Sequence, residues 1–206
     1  MEINQIYTNA KTYGVPVIRT ESHKILEDLV ESVKPKHILE IGTAVGYSGI
    51  TMLEKSAADL ITIEHNKDSI LQAKKNFKSH KLDNRVKIIK GDCLVAISKL
   101  LSSEKYNEYF DFIFLDGPKA QYDLMLEGLL KLLSPNGTLV ADNVLFRGYV
   151  DGDIKAPTKR YKTIIKRLNT FIENCKNNPQ IVNFKLIDTE DGIIVATKGK
   201  KWKKKK

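Results

Sequence analysis

From residue 36 onward, short apolar runs alternate with amphipathic stretches, and the alternation repeats without a break to residue 143. KHILEIG (36–42) leads into GYSGITMLEKS (46–56), and ADLITIE (58–64) into KDSILQAKKNFKSH (67–80). RVKIIKGD (85–92) precedes CLVAISKLLSS (93–103), YFDFIFLD (109–116) precedes AQYDLMLEGLLKLL (120–133), and TLVADN (138–143) closes the series. Short runs that are apolar on both faces suit parallel strands covered on each side by helices. The alternation therefore predicts an α/β fold, a doubly wound and mostly parallel sheet with right-handed crossovers.

The two ends of the chain depart from this rhythm. A helix over roughly 157–175 would carry Tyr161, Ile164, Ile165, Leu168, Phe171 and Ile172 on one face. NFKLIDTE (183–190), a turn at Asp191-Gly192 and GIIVATK (192–198) then predict a C-terminal antiparallel hairpin, bringing the sheet to seven strands. Residues 1–34 read as two helices packed outside the sheet and broken near Gly14-Val15-Pro16. With no internal repeat and no linker, residues 1–198 are expected to form a single domain. A chain of 206 residues buries roughly 70% of its unfolded surface and needs no disulfide or structural metal to fold.

Composition narrows the class further. Cys93 and Cys175 match no metal-ligand spacing and suit the reduced thiols of a cytoplasmic protein. No apolar run approaches the roughly 18 residues of a membrane span, and MEINQIYTNAKTYG lacks a signal-peptide pattern. The net charge is +9, but the last nine residues, KGKKWKKKK, hold seven lysines. The rest is nearly balanced, and residues 199–206 form a basic tail expected to be disordered. Such a tail is drawn to RNA, DNA or anionic lipid, or is simply solvated; Trp202 within it offers one stacking surface.

The candidate site residues fall at the ends of the predicted strands. In EIGTAVGYSG (40–49), Gly42 and Gly46 let the backbone turn sharply and approach a ligand, and Ser48 at the helix start suits a small carboxylate. No Lys follows to grip a phosphate, and the glycine order of a nicotinamide site is missing. Glu64 ends the second strand where a carboxylate can accept both ribose hydroxyls, and Asp92-Cys93 end the third, at the edge of an adenine ring. Each acid alone could instead cap the next helix. Three successive strand ends of this kind point to an adenosine-containing ligand.

Asp116 ends the fourth strand with Lys119 three residues on, and Asp142-Asn143 end the fifth. Strands four and five are neighbours in a doubly wound sheet, so two carboxylates and an amide come together. Oxygen donors without His or Cys favour a hard ion, Mg²⁺ or Mn²⁺, that keeps some waters. Near such a cation the Lys119 pKa is expected to fall, making it a general base; otherwise it is a solvated turn lysine.

Together E-I-G-T-A-x-G-Y-S, Glu64, Asp116 with Lys119, and Asp142-Asn143 resemble the cation-dependent O-methyltransferases, the catechol and caffeoyl-CoA type. Within that group VPVI, ILEIGTAVGYS, ADNVLFRGYV and DGIIVATK are similar to the bacterial tRNA 5-hydroxyuridine methyltransferases. The resemblance implies a Rossmann-like class I methyltransferase fold, usually a homodimer. It implies that S-adenosylmethionine lies against Ile18, Gly42, Ser48, Glu64, Asp92, Cys93 and Asp116. By the same resemblance Asp116, Asp142 and Asn143 hold the metal and Lys119 is the catalytic base.

The implied reaction is O-methylation of 5-hydroxyuridine at the tRNA wobble position. Two other readings stay open: methylation of a small catechol-like or phenolic acceptor at the same site, and a non-catalytic cofactor-binding protein. Lys159, Lys162 and Lys166, with Arg160 and Arg167 nearby, lean toward RNA if they share one helix face. Arg147, just after the metal pair, is compatible with the same partner.

Overall fold

The computed structural model describes residues 2–146, 148–150, 158–189 and 191–200. Arg147 and the tail beyond residue 200, both named above, lie outside the described residues. The chain divides into two compact units, residues 1–96 and 97–206.

The first unit opens with two helices, α1 (Ile3–Thr12) and α2 (Thr20–Val33), broken at the Gly14–Pro16 stretch as the sequence predicts. They are followed by β1 (His37–Ile41), α3 (Tyr47–Glu54), β2 (Asp59–Glu64), α4 (Lys67–Ser79) and β3 (Val86–Lys90). The strands pair in parallel, β3 with β2 and β2 with β1, with Ile41 opposite Ile63 and Glu64 opposite Lys90. In β1, Ile38, Leu39 and Ile41 are fully buried, as continuous apolar runs require. β3 differs from the two-faced expectation: Lys87 and Lys90 are exposed, which suits an edge strand that must not pair further. The N-terminal helices dock on α3 through a stack of rings. His23 lies 4.8 Å from Tyr47, which lies 5.4 Å from Tyr7, and His23 Nε2 is 2.8 Å from Thr51 Oγ1.

The second unit carries most of α5 (Cys93–Leu101), then β4 (Phe110–Leu115), α6 (Tyr122–Leu132), β5 (Leu133–Asp142), α7 (Lys159–Asn177), β6 (Ile181–Ile187) and β7 (Ile193–Lys198). β4 and β5 are parallel, and β7 runs antiparallel to both β5 and β6, so the predicted terminal hairpin is present. β5 begins at Leu133, which the helical pattern had claimed for the preceding helix. The register jumps between the Phe110–Leu133 and Phe112–Thr138 pairs, so Ser134–Gly137 bulge out of the ladder. Leu168, Phe171 and Cys175 of α7 are buried, with Phe171 edge-on to Tyr122 at 5.3 Å.

Lys198 ends β7, within the strand the sequence predicts over 192–198. It is 5% exposed, and its ammonium donates to the Leu130 and Leu133 carbonyls, 2.8 Å each, and to Glu108 Oε1 at 3.1 Å. Three acceptors satisfy a buried ammonium fully, so this lysine belongs to the core rather than to the basic run. Among the described residues, no helix is long and apolar enough to cross a membrane.

Candidate functional site

In the first unit, the turn after β1 is built from left-handed backbone. Gly42 (φ 101°), Ala44 (φ 45°) and Gly46 (φ 86°) all lie there. A Cβ added at Gly46 would sit 3.1 Å from the Phe77 ring, so the turn is both conformationally and sterically tied to glycine. Gly42 N–H and Thr43 N–H both donate to the Ile63 carbonyl, fixing the turn to the end of β2.

Glu64 completes it. Its Oε2 accepts from Ala44 N–H at 3.0 Å, and its Oε1 from the N–H groups of His65 and Asn66 at 2.9 and 2.8 Å. The helix that follows is capped by Asn66, which accepts from Ser69 N–H, so Glu64 is not its cap. Asp92 does serve as a cap. Its Oδ1 accepts from Leu94 and Val95 N–H at 2.9 and 3.2 Å, at the start of α5, and the residue is exposed. Beside it Cys93 is buried, and that burial, with the Asp92 charge, pushes its thiol pKa up. Ile18 is buried in the connection between α1 and α2.

Ser48 is buried and donates to Glu40 Oε1 at 2.5 Å, while Thr62 donates to Glu40 Oε2 at 2.6 Å and pairs with Thr43 at 2.5 Å. The Ser48 proton is therefore committed inside the protein, and its oxygen is left to accept from a ligand. Glu40, fully buried, is the residue that sequence reasoning missed. The signal was there: a carboxylate inside the apolar run HILEIG has no reason to be buried unless hydroxyls or a ligand satisfy it.

The second unit brings the other residues together. Leu115 pairs with Ala141 at the end of the β4–β5 ladder, and one step further lie Asp116 and Asp142. Asp142 is 0% exposed and Asp116 is half-buried. The Tyr122 hydroxyl, buried, lies 3.2 Å from the Leu115 carbonyl and 3.1 Å from the Asp142 carbonyl, spanning the two strand ends. Asn143 follows in left-handed backbone (φ 61°), which Asn tolerates better than most residues. The chain past it is held by Val144 N–H to the Gly192 carbonyl and Leu145 N–H to the Asp191 carbonyl. A side chain at Gly192 (φ 68°) would collide with Leu145, so the hairpin tip fixes where Asn143 stands.

Lys119 lies at the start of a 3₁₀ turn and its ammonium donates to Asp116 Oδ1 at 2.9 Å. Burial is the largest single influence on it and pulls its pKa down. The Asp116, Tyr122 and Asp142 groups together outweigh that and hold it above the ordinary lysine value. The fall expected from the sequence concerns the cation-bound site; with no cation beside it, the ammonium is held up because two carboxylates face it. Among the described residues no three His, Cys, Asp or Glu side chains cluster as a metal cage. Two carboxylates and an amide fit a cation that completes its shell with water and acceptor oxygens, as Mg²⁺ does.

Seven strands ending in an antiparallel hairpin, with a glycine turn after β1 and acids at the later strand ends, define a Rossmann-like class I methyltransferase fold. The sequence model of the family described as O-methyltransferase matches residues 3–199, and the chain belongs to that family. A catechol O-methyltransferase from Niastella koreensis is 34% identical over 142 residues, 66% of this chain and 63% of that one. A crystal structure from Staphylococcus aureus, assigned to the caffeoyl-CoA O-methyltransferases, has a TM-score of 0.85 at 28% identity, covering 97% of this chain and 93% of its own. A Podospora anserina methyltransferase solved with SAH bound has a TM-score of 0.76 at 28% identity, covering 89% and 80%.

Proposed function

We propose that this protein transfers the methyl group of S-adenosylmethionine to an oxygen of a cation-held acceptor, and that the acceptor is 5-hydroxyuridine at the wobble position of a tRNA anticodon. The observation that carries the reading is the register at the ends of β4 and β5, with Asp116 beside Asp142, Asn143 next in line and Lys119 on Asp116. Asp116, Asp142 and Asn143 would hold Mg²⁺ or Mn²⁺. When bound, such an ion lowers the pKa of a coordinated hydroxyl and fixes two neighbouring oxygens. The 5-oxygen and 4-carbonyl of 5-hydroxyuracil are such a pair, as are the oxygens of a catechol.

Most of the residues proposed for the donor are in the first unit, and Asp116 is the exception. Gly42 gives close backbone approach, Glu64 presents an oriented carboxylate to the ribose, Asp92 and Cys93 line the adenine side, and Ile18 approaches from the N-terminal segment. The Ser48 oxygen accepts from the amino group of the methionine end. Lys119 carries its proton in the protein alone, so it serves the acceptor first as a charge and a hydrogen-bond donor. It can take a proton only where Asp116 is drawn away from it.

RNA rather than a free phenol is supported by exposed Lys159, Arg160 and Lys162 in the first turn of α7 and by Lys166 one turn on. Arg167, grouped with them in the sequence, is instead spent on Asp123 at 2.7 Å. The second reading, a small catechol-like acceptor, draws its support from the 34% identity to the Niastella enzyme.

Nucleoside mass analysis separates the two. The protein is incubated with S-adenosylmethionine, Mg²⁺ and tRNA carrying 5-hydroxyuridine, alongside a chelator control and a catechol panel. Chelator-sensitive conversion to 5-methoxyuridine is expected. Methylation of catechols with the tRNA untouched would move the function to small molecules.

A further inference from the structure

We propose that the cleft along the outer face of α7 seats single-stranded RNA and so selects which base of an RNA acceptor is presented; this deepens the function proposed above and rests on it. The cleft measures about 660 Å³, within the range of ligand-sized sites, and is lined by Tyr149, Lys162, Ile165, Lys166, Asn169 and Glu173, among others. On α7, Lys162, Lys166, Asn169 and Glu173 fall at spacings of four, three and four, one stripe of the helix. The opposite face is the buried one, Leu168, Phe171 and Cys175, so the stripe points outward.

Three kinds of chemistry meet there. Lys162 and Lys166 are exposed cations one turn apart, suited to successive phosphates. Tyr149 belongs to a cluster of rings, 5.7 Å from Phe146 and 5.4 Å from Tyr161, with Phe146 and Tyr161 5.2 Å apart. Partly exposed rings that pack on one another are platforms on which any base can stack. Asn169 and Glu173 supply an amide and a carboxylate for the polar edge of a base. Glu173 also gives the cleft a direction, since phosphates are repelled from its end and attracted to the lysine end.

An acidic peptide would use the lysines but leave rings and amide unexplained. A membrane would need exposed large apolar side chains, and Tyr13, Leu71, Val95, Leu101, Leu124, Val182 and Leu186, which are exposed, do not line the cleft. Tyr149 lies in the loop that leaves β5, six residues past Asn143, so one short segment carries both the ring and the amide ligand. An RNA held at Tyr149 is thereby held a few residues along the chain from Asn143.

The test is direct binding of an RNA stem-loop, read by fluorescence anisotropy across a salt series with no methyl donor. It compares the full chain with Lys162→Ala/Lys166→Ala and with Tyr149→Ala. Removing two phosphate contacts should flatten the log–log salt dependence by about 1.4. Tyr149→Ala should weaken binding about tenfold with the slope unchanged, the signature of lost stacking. A Tm within a degree or so of the parent would show that folding is intact. If the parent binds RNA and both variants match it in affinity and slope, the cleft is overturned while the tRNA reading stands. If the parent does not bind RNA at all, the tRNA acceptor falls, and the cleft with it.

Discussion

Glu64, which ends β2, and Asp92, two residues past the end of β3, have oxygens already committed to the fold, Glu64 to three backbone N–H groups and Asp92 to two. Asp116, at the corresponding place after β4, faces an ammonium instead, and its neighbour Asp142 is fully buried next to it. The four acids look alike in the sequence. Backbone N–H groups cannot leave a carboxylate, so in the first unit the acids shape a turn and start a helix, and any ligand meets them pre-oriented. A lysine side chain can swing away. The carboxylates of the second unit are therefore held in a form that another cation can exchange into, which is what a metal site needs and a cap does not.

This contrast can be broken by substitution. Asp142→Asn keeps the shape and removes the charge, and it should lower methyl transfer at least about 100-fold, since even outer-shell changes at metal sites reach that size. Its Tm should fall only modestly, because Asp116 still pairs the Lys119 ammonium; a large fall in Tm with turnover intact would make Asp142 a structural acid after all. Lys119→Ala should lower kcat by about 100-fold. It should also tighten Mg²⁺ binding, measured by calorimetry, because the ammonium competing for Asp116 is gone. Weaker Mg²⁺ binding in that variant would show that Lys119 supports the site rather than competes for it.

Tyr122→Phe removes the hydroxyl that spans the ends of β4 and β5. It should weaken Mg²⁺ binding about tenfold and cost about 1 kcal/mol in chemical denaturation. The smallest effect belongs to the first unit. Asp92→Ala should cost about 1 kcal/mol through the lost cap, and Asp92→Asn almost nothing. An Asp92→Asn variant with intact stability and a raised KM for S-adenosylmethionine is expected if Asp92 also lines the adenine side; an unchanged KM would leave it a helix cap alone.

Much of this was legible in the sequence for a local reason. β1, β2 and β4 are apolar runs bounded by glycine or an acid, and α7 carries its buried residues at helical spacing, so short-range pattern suffices. What escaped depends on partners far along the chain. Arg167 counted as a free cation until Asp123, 44 residues away, took it up. Lys198 falls in the predicted strand over 192–198, but its burial depends on Glu108 and two carbonyls from the α6–β5 junction. β5 was read as starting at 138 because LLKLL continues a helical pattern and Ser134–Gly137 look like an ordinary turn, whereas Leu133 pairs with Phe110. The direction of the Lys119 shift depends on three groups converging from a turn, a helix and a strand, which no spacing rule reveals. Glu40 was hidden differently: the motif contains it, but only the buried hydroxyls of Ser48 and Thr62 show what it holds.

Asp116, Asp142 and Asn143 are proposed to form a cation site. The most direct test titrates Mn²⁺ into the protein, without donor or RNA, and follows loss of the free-ion electron paramagnetic resonance signal. One saturable Mn²⁺ site is expected in the parent chain, displaced by Mg²⁺ and lost in Asp142→Asn. A parent chain that binds no Mn²⁺, or an Asp142→Asn variant that binds it equally well, would contradict that assignment.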